Sequence, residues 1–103
     1  NLIFFAGYTN ASWTLKSDLT SEYASRLIKV MDKKSYSSFV ALKNGKKMET
    51  IPLLNLNSGY INRSSNIFPK QGSKLPWRLY QNYFFDYAML RINKIEDKFL
   101  SFI

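Results

Sequence analysis

The stretch from Gly7 to Lys16, GYTNASWTLK, carries the residues of this chain that are best suited to bind a ligand. An apolar run, residues 2–6, leads into it, and an amphipathic pattern, residues 15–31, leads out. This order predicts a strand, a glycine turn and a helix start at one place. Because the first N–H groups of a helix lack intrahelical partners and the dipole is positive there, such a place suits anions and polar ligand oxygens. A simpler interpretation is also open, in which Gly7 only makes a tight turn and the polar side chains only cap the helix. The possible caps are Asn10, Ser12 and Thr14.

The side chains that most enzymes use for nucleophilic or metal chemistry are absent from the sequence. The chain has no cysteine and no histidine, which excludes disulfides, thiolate catalysis, histidine general bases and the usual zinc sites. We therefore assign no catalytic residue and no metal ligand. The lack of cysteine also fits a cytoplasmic location. No apolar run approaches the roughly 20 residues that a membrane-spanning helix needs, and no signal peptide is visible.

The charge of the chain is strongly positive. Its 103 residues, enough for one small domain or part of one, carry 15 Lys and Arg against 7 Asp and Glu, a formal charge of +8. A basic balance suits nucleic acid, an anionic membrane surface or a phosphorylated ligand. The cations are scattered, so they could also belong to the solvated surface of a larger protein. The aromatic content of 17% argues against disorder.

Two elements must hold the polar stretch in place. Residues 1–6 form a short continuous apolar run, which predicts a buried strand of the kind found in parallel sheets. After the polar stretch, apolar residues recur at three- and four-residue spacing and predict one amphipathic helix with its stripe in the core. The stripe consists of Leu15, Leu19, Tyr23, Leu27, Val30 and Met31. Glu22 and Arg26 could pair within this helix.

The rest of the chain predicts smaller elements. Residues 36–42 and 48–51 flank an Asn44-Gly45 turn signal and predict a β-hairpin, and residues 55–68 suggest a short helix. Pro76 suits the first turn of another helix that runs to residue 92, and residues 98–103 suggest a last short strand. The predicted fold class is therefore α+β, mainly helical with a β-hairpin and short strands.

Two long motifs resemble one enzyme family. The stretch Gly7–Lys16 is similar to a segment near the C-terminus of flavin-containing monooxygenases of the Baeyer–Villiger type, and within that family it resembles the ethionamide-activating branch. A second block, Phe68–Tyr83 (FPKQGSKLPWRLYQNY), resembles the same branch just before its end. The order and separation of the two blocks fit as well. Because the chain begins at Asn1 rather than Met, and within a predicted strand, we expect it to be a C-terminal fragment of a much longer enzyme.

The resemblance implies a parent enzyme that uses FAD and NADPH to insert one oxygen atom from O2 into a small organic substrate, a ketone or a sulfur compound. It implies that residues 1–34 hold the last strand and helix of an α/β FAD-binding domain, and that residues 35–103 form a C-terminal hairpin and helical extension. In the family, the turn after that strand lies beside the flavin ring. The candidate cofactor-binding residues are therefore Asn10, Ser12, Trp13, Thr14 and Leu15. Because the family's glycine-rich dinucleotide fingerprints are missing here, we expect the fragment alone to be inactive and not to bind FAD tightly.

The expected partner of the chain is the remainder of the parent flavoenzyme. The wide apolar coverage of the helix predicted over residues 77–92 fits packing against that remainder or against a second copy of the chain. Two alternatives to an enzyme fragment stay open. The chain could be a small basic module that binds nucleic acid, or a membrane-surface or oligomerisation module built on the same helix. Nucleic acid is not the expected partner, because the cations do not cluster.

Overall fold

The computed structural model of the chain describes residues 1–43, 47–53, 59, 63 and 66–103. It contains two compact units, one made of Asn1–Asn44 with Tyr80–Ile103 and the other of Gly45–Leu79. The described residues form helices and short antiparallel strands, so the predicted α+β class is confirmed.

The first unit is organised around a long helix, α1, which spans Trp13–Lys34. The predicted apolar stripe is confirmed where three of its side chains are buried: Leu19, Leu27 and Met31. The prediction that Leu15 begins the buried stripe is wrong, because Leu15 is exposed and Lys16 is buried instead. Ser35 ends the helix with a left-handed backbone (φ 56°), which lets the N–H of Tyr36 reach the carbonyl of Met31 at 2.9 Å.

Three short elements complete the first unit: a helix α2 at Tyr83–Tyr87, a π-helical turn at Ala88–Ile92, and a two-stranded antiparallel sheet. In that sheet, β1 (Phe39–Ala41) pairs with β4 (Leu100–Phe102), and Phe39 lies opposite Phe102. The last short strand predicted from the sequence is therefore confirmed. Both strands contribute side chains to a core built on three buried residues: Leu27, Met31 and Ile95.

Arg26 of α1 forms hydrogen bonds with the end of the π-helical turn. Its guanidinium donates hydrogen bonds to three backbone carbonyls, at 2.9, 2.8 and 2.6 Å: Leu90, Arg91 and Asn93. Glu22 forms an ion pair with Arg91. Glu22 and Arg26 thus each bind the π-helical segment. They do not pair with each other, so the predicted ion pair within α1 is wrong.

The second unit contains the strands β2 (Thr50–Pro52) and β3 (Lys70–Gly72), which pair antiparallel. Gly72 is buried, and a Cβ there would lie 2.6 Å from the Cβ of Trp77 and 2.7 Å from the sulfur of Met48. The side chain of Gln71 ties neighbouring backbone together: its amide donates to the carbonyl of Pro52 (3.0 Å), and its Oε1 accepts from the N–H of Leu79 (2.7 Å).

The predicted β-hairpin is wrong. Both of its expected strands exist as β1 and β2, but β1 pairs with β4 and β2 pairs with β3. The Asn44-Gly45 turn signal lies outside the described residues, as does nearly all of the short helix predicted over residues 55–68.

The extent of two other predicted elements is also corrected. Residues 1–6 form no strand and pair with neither of the two sheets of the described residues. Ile3 packs on the core, while Leu2 and Phe4 are exposed. The helix expected from Pro76 begins only at Tyr83. Gln81 has a left-handed backbone (φ 53°) that a helix cannot contain, so the helix starts after it.

Candidate functional site

The candidate site is the turn that leads into α1. We call residues 9–15 the corner. Ser12 is the N-cap residue of α1, with an extended backbone (φ −62°, ψ 132°), so its predicted position is confirmed. Its side chain makes no capping hydrogen bond and instead shares one of 2.7 Å with the hydroxyl of Thr14. The first-turn N–H groups of α1 are therefore not occupied by the cap side chain.

Gly7 is needed where it stands because the indole of Trp13 lies against it. A Cβ on Gly7 would come within 2.1 Å of Cδ2 and 2.4 Å of Cγ of Trp13, far inside van der Waals contact. Trp13 remains 62% exposed. One face of the aromatic ring is thus fixed against the backbone of the turn, and most of its surface is open to a partner.

The structure brings all five predicted cofactor contacts together at the surface. They are exposed and follow one another along the corner and the first turn of α1: Asn10, Ser12, Trp13, Thr14 and Leu15. Asn10 is partly engaged, since its side-chain amide donates to the carbonyl of Gln81 at 3.3 Å. None of the five is buried in the core of the chain, and whether they contact a flavin stays a prediction.

A buried polar cluster lies directly behind the corner. The hydroxyl of Tyr8 donates to Oδ2 of Asp86 at 2.6 Å, and Nζ of Lys16 lies 2.7 Å from the same oxygen. All three residues are buried, and the Lys16 ammonium also stands 5.7 Å from the centre of the Tyr8 ring. We call this group the Tyr8–Asp86–Lys16 cluster.

The cluster keeps Tyr8 protonated. Burial raises the pKa of the Tyr8 hydroxyl well above its usual range, and the hydrogen bond to Asp86 and the charge of that carboxylate raise it further. Tyr8 is therefore a hydrogen-bond donor across the physiological pH range. Its neutral hydroxyl and the Lys16 ammonium together satisfy the one buried carboxylate oxygen that both contact.

Gln81 holds the start of the corner. Its Oε1 accepts hydrogen bonds from the N–H of Thr9 (2.8 Å) and from the Thr9 hydroxyl (3.3 Å). The residue that follows, Asn82, caps α2 by accepting from the N–H of Phe85 at 3.1 Å. The segment from Gln81 to Asp86 thus contacts the first residue of the corner through Gln81. Through Asp86 it contacts the two residues that flank the corner, Tyr8 and Lys16.

Sequence reasoning missed Lys16, Gln81 and Asp86. A signal for the first existed: Lys16 lies three residues before Leu19 and so falls on the buried stripe of α1. A lysine on that face requires a buried acidic partner. Which of the acidic residues supplies it depends on the tertiary fold, and the sequence alone does not identify Asp86.

The described residues contain no group of His, Cys, Asp or Glu side chains that could hold a metal ion. Among them, no helix combines the length and apolar character that crossing a bilayer requires.

Comparison with known proteins shows which class of protein the chain is similar to. No family model matches the chain, and no solved structure matches it. Over its whole length, however, the chain is similar to FAD-containing monooxygenases, which confirms the resemblance seen in the sequence.

Three of these relatives illustrate the degree of sequence identity. The FAD-containing monooxygenase EthA of Mycobacterium tuberculosis is 45% identical over 102 residues. The protein named "Probable FAD-binding monooxygenase AlmA" of Acinetobacter baylyi is 39% identical over 103 residues. The protein named "Putative FAD-containing monooxygenase MymA" of Mycobacterium tuberculosis is 41% identical over 105. Each match covers 99% of this chain but 21% of the relative. The chain thus spans about a fifth of the length of each of these relatives, which is consistent with the predicted C-terminal fragment.

Proposed function

We propose that this chain is the C-terminal portion of an FAD- and NADPH-dependent monooxygenase of the Baeyer–Villiger type, and that its corner forms one wall of the flavin site. The enzyme would insert one oxygen atom from O2 into a small organic substrate, a ketone or a sulfur compound. The observation that carries the proposal is the identity of 38–45% with monooxygenases named as FAD-containing or FAD-binding, over 99% of the chain.

The surface of the corner fits a flavin. It offers hydroxyl groups at Ser12 and Thr14, an exposed indole at Trp13, and the start of a 22-residue helix whose cap side chain is turned away from the first-turn N–H groups. Helix-start N–H groups and the positive end of the dipole favour a ligand that carries negative charge. A flat aromatic side chain beside them suits a flat ring system.

The roles of this chain would be to bind and to shield. Bound FAD, reduced by NADPH, supplies the oxygen chemistry of such an enzyme. The residues of the corner would orient the ring and exclude water from one side of it. With no cysteine or histidine in the sequence, we assign the chain no proton-transfer or nucleophilic step.

The remainder of the enzyme would cover the apolar surface that the chain leaves open. Leu2 is 87% exposed in the apolar run before the corner, and Phe84 is 83% exposed on α2. Large apolar side chains at such exposure are typical of surfaces that contact another protein part. We propose that residues 1–6 add to a sheet of the parent FAD-binding domain, because a short continuous apolar run is typical of a buried strand.

The test is made on the full-length protein and on the chain alone. We expect the full-length protein to be yellow as purified and to oxidise NADPH in the presence of O2, and the chain alone not to bind FAD tightly. A colourless full-length protein that takes up no added FAD would contradict the proposal. Salt-dependent binding of the chain to DNA or RNA, or its co-sedimentation with anionic vesicles, would instead favour one of the two alternatives.

A further inference from the structure

The corner is held at both of its ends by one carboxylate. Tyr8 immediately precedes residues 9–15 and Lys16 immediately follows them, and both side chains reach Oδ2 of Asp86, at 2.6 and 2.7 Å. The carboxylate belongs to α2, which is more than 60 residues further along the sequence. The residues on both sides of the corner are therefore tied to α2 through this one oxygen atom.

Burial of the Tyr8–Asp86–Lys16 cluster makes the loss of either contact to Asp86 unfavourable. All three side chains are buried, and a buried ammonium or carboxylate without its partner is strongly unfavourable. Water cannot readily substitute for either partner there, so the contacts hold a single arrangement. The chain offers an internal comparison: Lys34 lies at the same 2.7 Å from Glu96, but those two side chains are 47% and 41% exposed to solvent.

A second contact from the same segment fixes the start of the corner. Gln81 accepts from the N–H of Thr9 at 2.8 Å while its own backbone is left-handed (φ 53°). A non-glycine residue in that conformation is unfavourable and persists where surrounding contacts require it. Here the required contacts are those with Thr9 and with Asn10, whose amide donates to the Gln81 carbonyl.

We propose that Asp86 is a positioning residue, which through Tyr8 and Lys16 sets the placement of residues 9–15 against the flavin. This inference rests on the proposed function. Asp86 itself is buried and its carboxylate contacts Tyr8 and Lys16, so we expect it to act on the cofactor through these two residues.

The experiment compares Asp86→Asn with the matched control Glu96→Gln in the full-length protein. We expect Asp86→Asn to raise the dissociation constant of FAD by about tenfold, the change expected when about one hydrogen-bond contact to a ligand is lost. At saturating FAD, the visible absorption spectrum of the bound flavin should also shift. Hydrogen exchange over residues 9–15 in the FAD-free protein should be faster. Glu96→Gln should leave all three measurements at their wild-type values.

A second variant separates positioning from folding. Replacing both charges, Lys16→Met with Asp86→Leu, leaves no unpaired buried charge and should keep the protein folded. Because the contacts of Asp86 with Tyr8 and Lys16 are absent from the double variant, its dissociation constant for FAD should still rise. The absorption spectrum of its bound flavin should still shift. A wild-type dissociation constant and spectrum in this folded double variant would overturn the inference.

The outcomes distinguish this inference from the function on which it rests. If the wild-type full-length protein binds no FAD, the proposed function fails and the inference fails with it. If the wild-type protein binds FAD but Asp86→Asn leaves the flavin spectrum unchanged, the proposed function stands and Asp86 has only a structural role.

Discussion

Replacing Lys16 with methionine tests whether the Tyr8–Asp86–Lys16 cluster is the buried assembly that the structure describes. The methionine fills most of the space of the lysine stem but leaves the Asp86 carboxylate without its cation. The side chains of this pair are only 11% and 8% exposed, so solvent cannot replace the lost partner. Removal of one member of such a pair destabilises a protein by about 3–5 kcal/mol.

The structure favours the lower end of that range. The hydroxyl of Tyr8 still donates to the same carboxylate oxygen at 2.6 Å, and a hydrogen bond to a charged group retains about 1.5–3 kcal/mol of stabilisation. We therefore expect Lys16→Met to lower the free energy of unfolding by about 3 kcal/mol. Part of this loss should be recovered when Asp86→Leu is added, since the variant then contains no unpaired charge, although the buried Tyr8 hydroxyl loses its acceptor.

The assay is urea unfolding of the 103-residue chain followed by circular dichroism. Lys34→Met is the matched control, because its ion pair with Glu96 has the same 2.7 Å separation while the side chains are 47% and 41% exposed. The control should change the unfolding midpoint far less, since exposed ion pairs contribute little. Equal shifts for Lys16→Met and Lys34→Met would refute the reasoning, because they would mean that burial of the cluster has no energetic consequence.

Three further variants test other contacts. Because the pKa of Tyr8 is raised by burial and by Asp86, the folded chain keeps a proton that the unfolded chain releases near pH 10, so stability falls as pH rises above about 10; Tyr8→Phe should make this alkaline fall in unfolding free energy shallower. Gly7→Ala should displace the Trp13 indole, since the new Cβ would lie 2.1 Å from it; its fluorescence and the FAD affinity of the full-length protein should change, whereas Gly59→Ala, with no atom within 4 Å, should change neither. Arg26→Met removes the donor to three carbonyls and should lower the unfolding free energy by about 2 kcal/mol, with Arg26→Lys recovering only part of it.

The long helix was predictable because its signal is local. Apolar residues at three- and four-residue spacing mark one face of the helix, and Leu19, Leu27 and Met31 are buried on it. Strand pairing was not predictable in the same way. The Asn44-Gly45 signal favours a partner close in sequence, but β1 pairs with β4, about 60 residues away, because both strands cover the core under α1.

The exposed part of the candidate site was predictable, and its support was not. The residues of the corner were found from the resemblance and from their helix-start pattern, and the structure places them together at the surface. The supporting carboxylate of Asp86 lies on a different element. From the sequence it appeared as one charge on a longer helix, whereas the left-handed backbone at Gln81 delays the helix and brings Asp86 under the corner.

The central claim is that residues 9–15 form a wall of a flavin site, and hydrogen exchange measured on the full-length protein tests it most directly. Amide exchange over the corner is compared with and without FAD, with the β4 segment Leu100–Phe102 as the internal reference. The account predicts that FAD slows exchange over residues 9–15 and leaves the reference unchanged. FAD that binds tightly without altering exchange at the corner would contradict it.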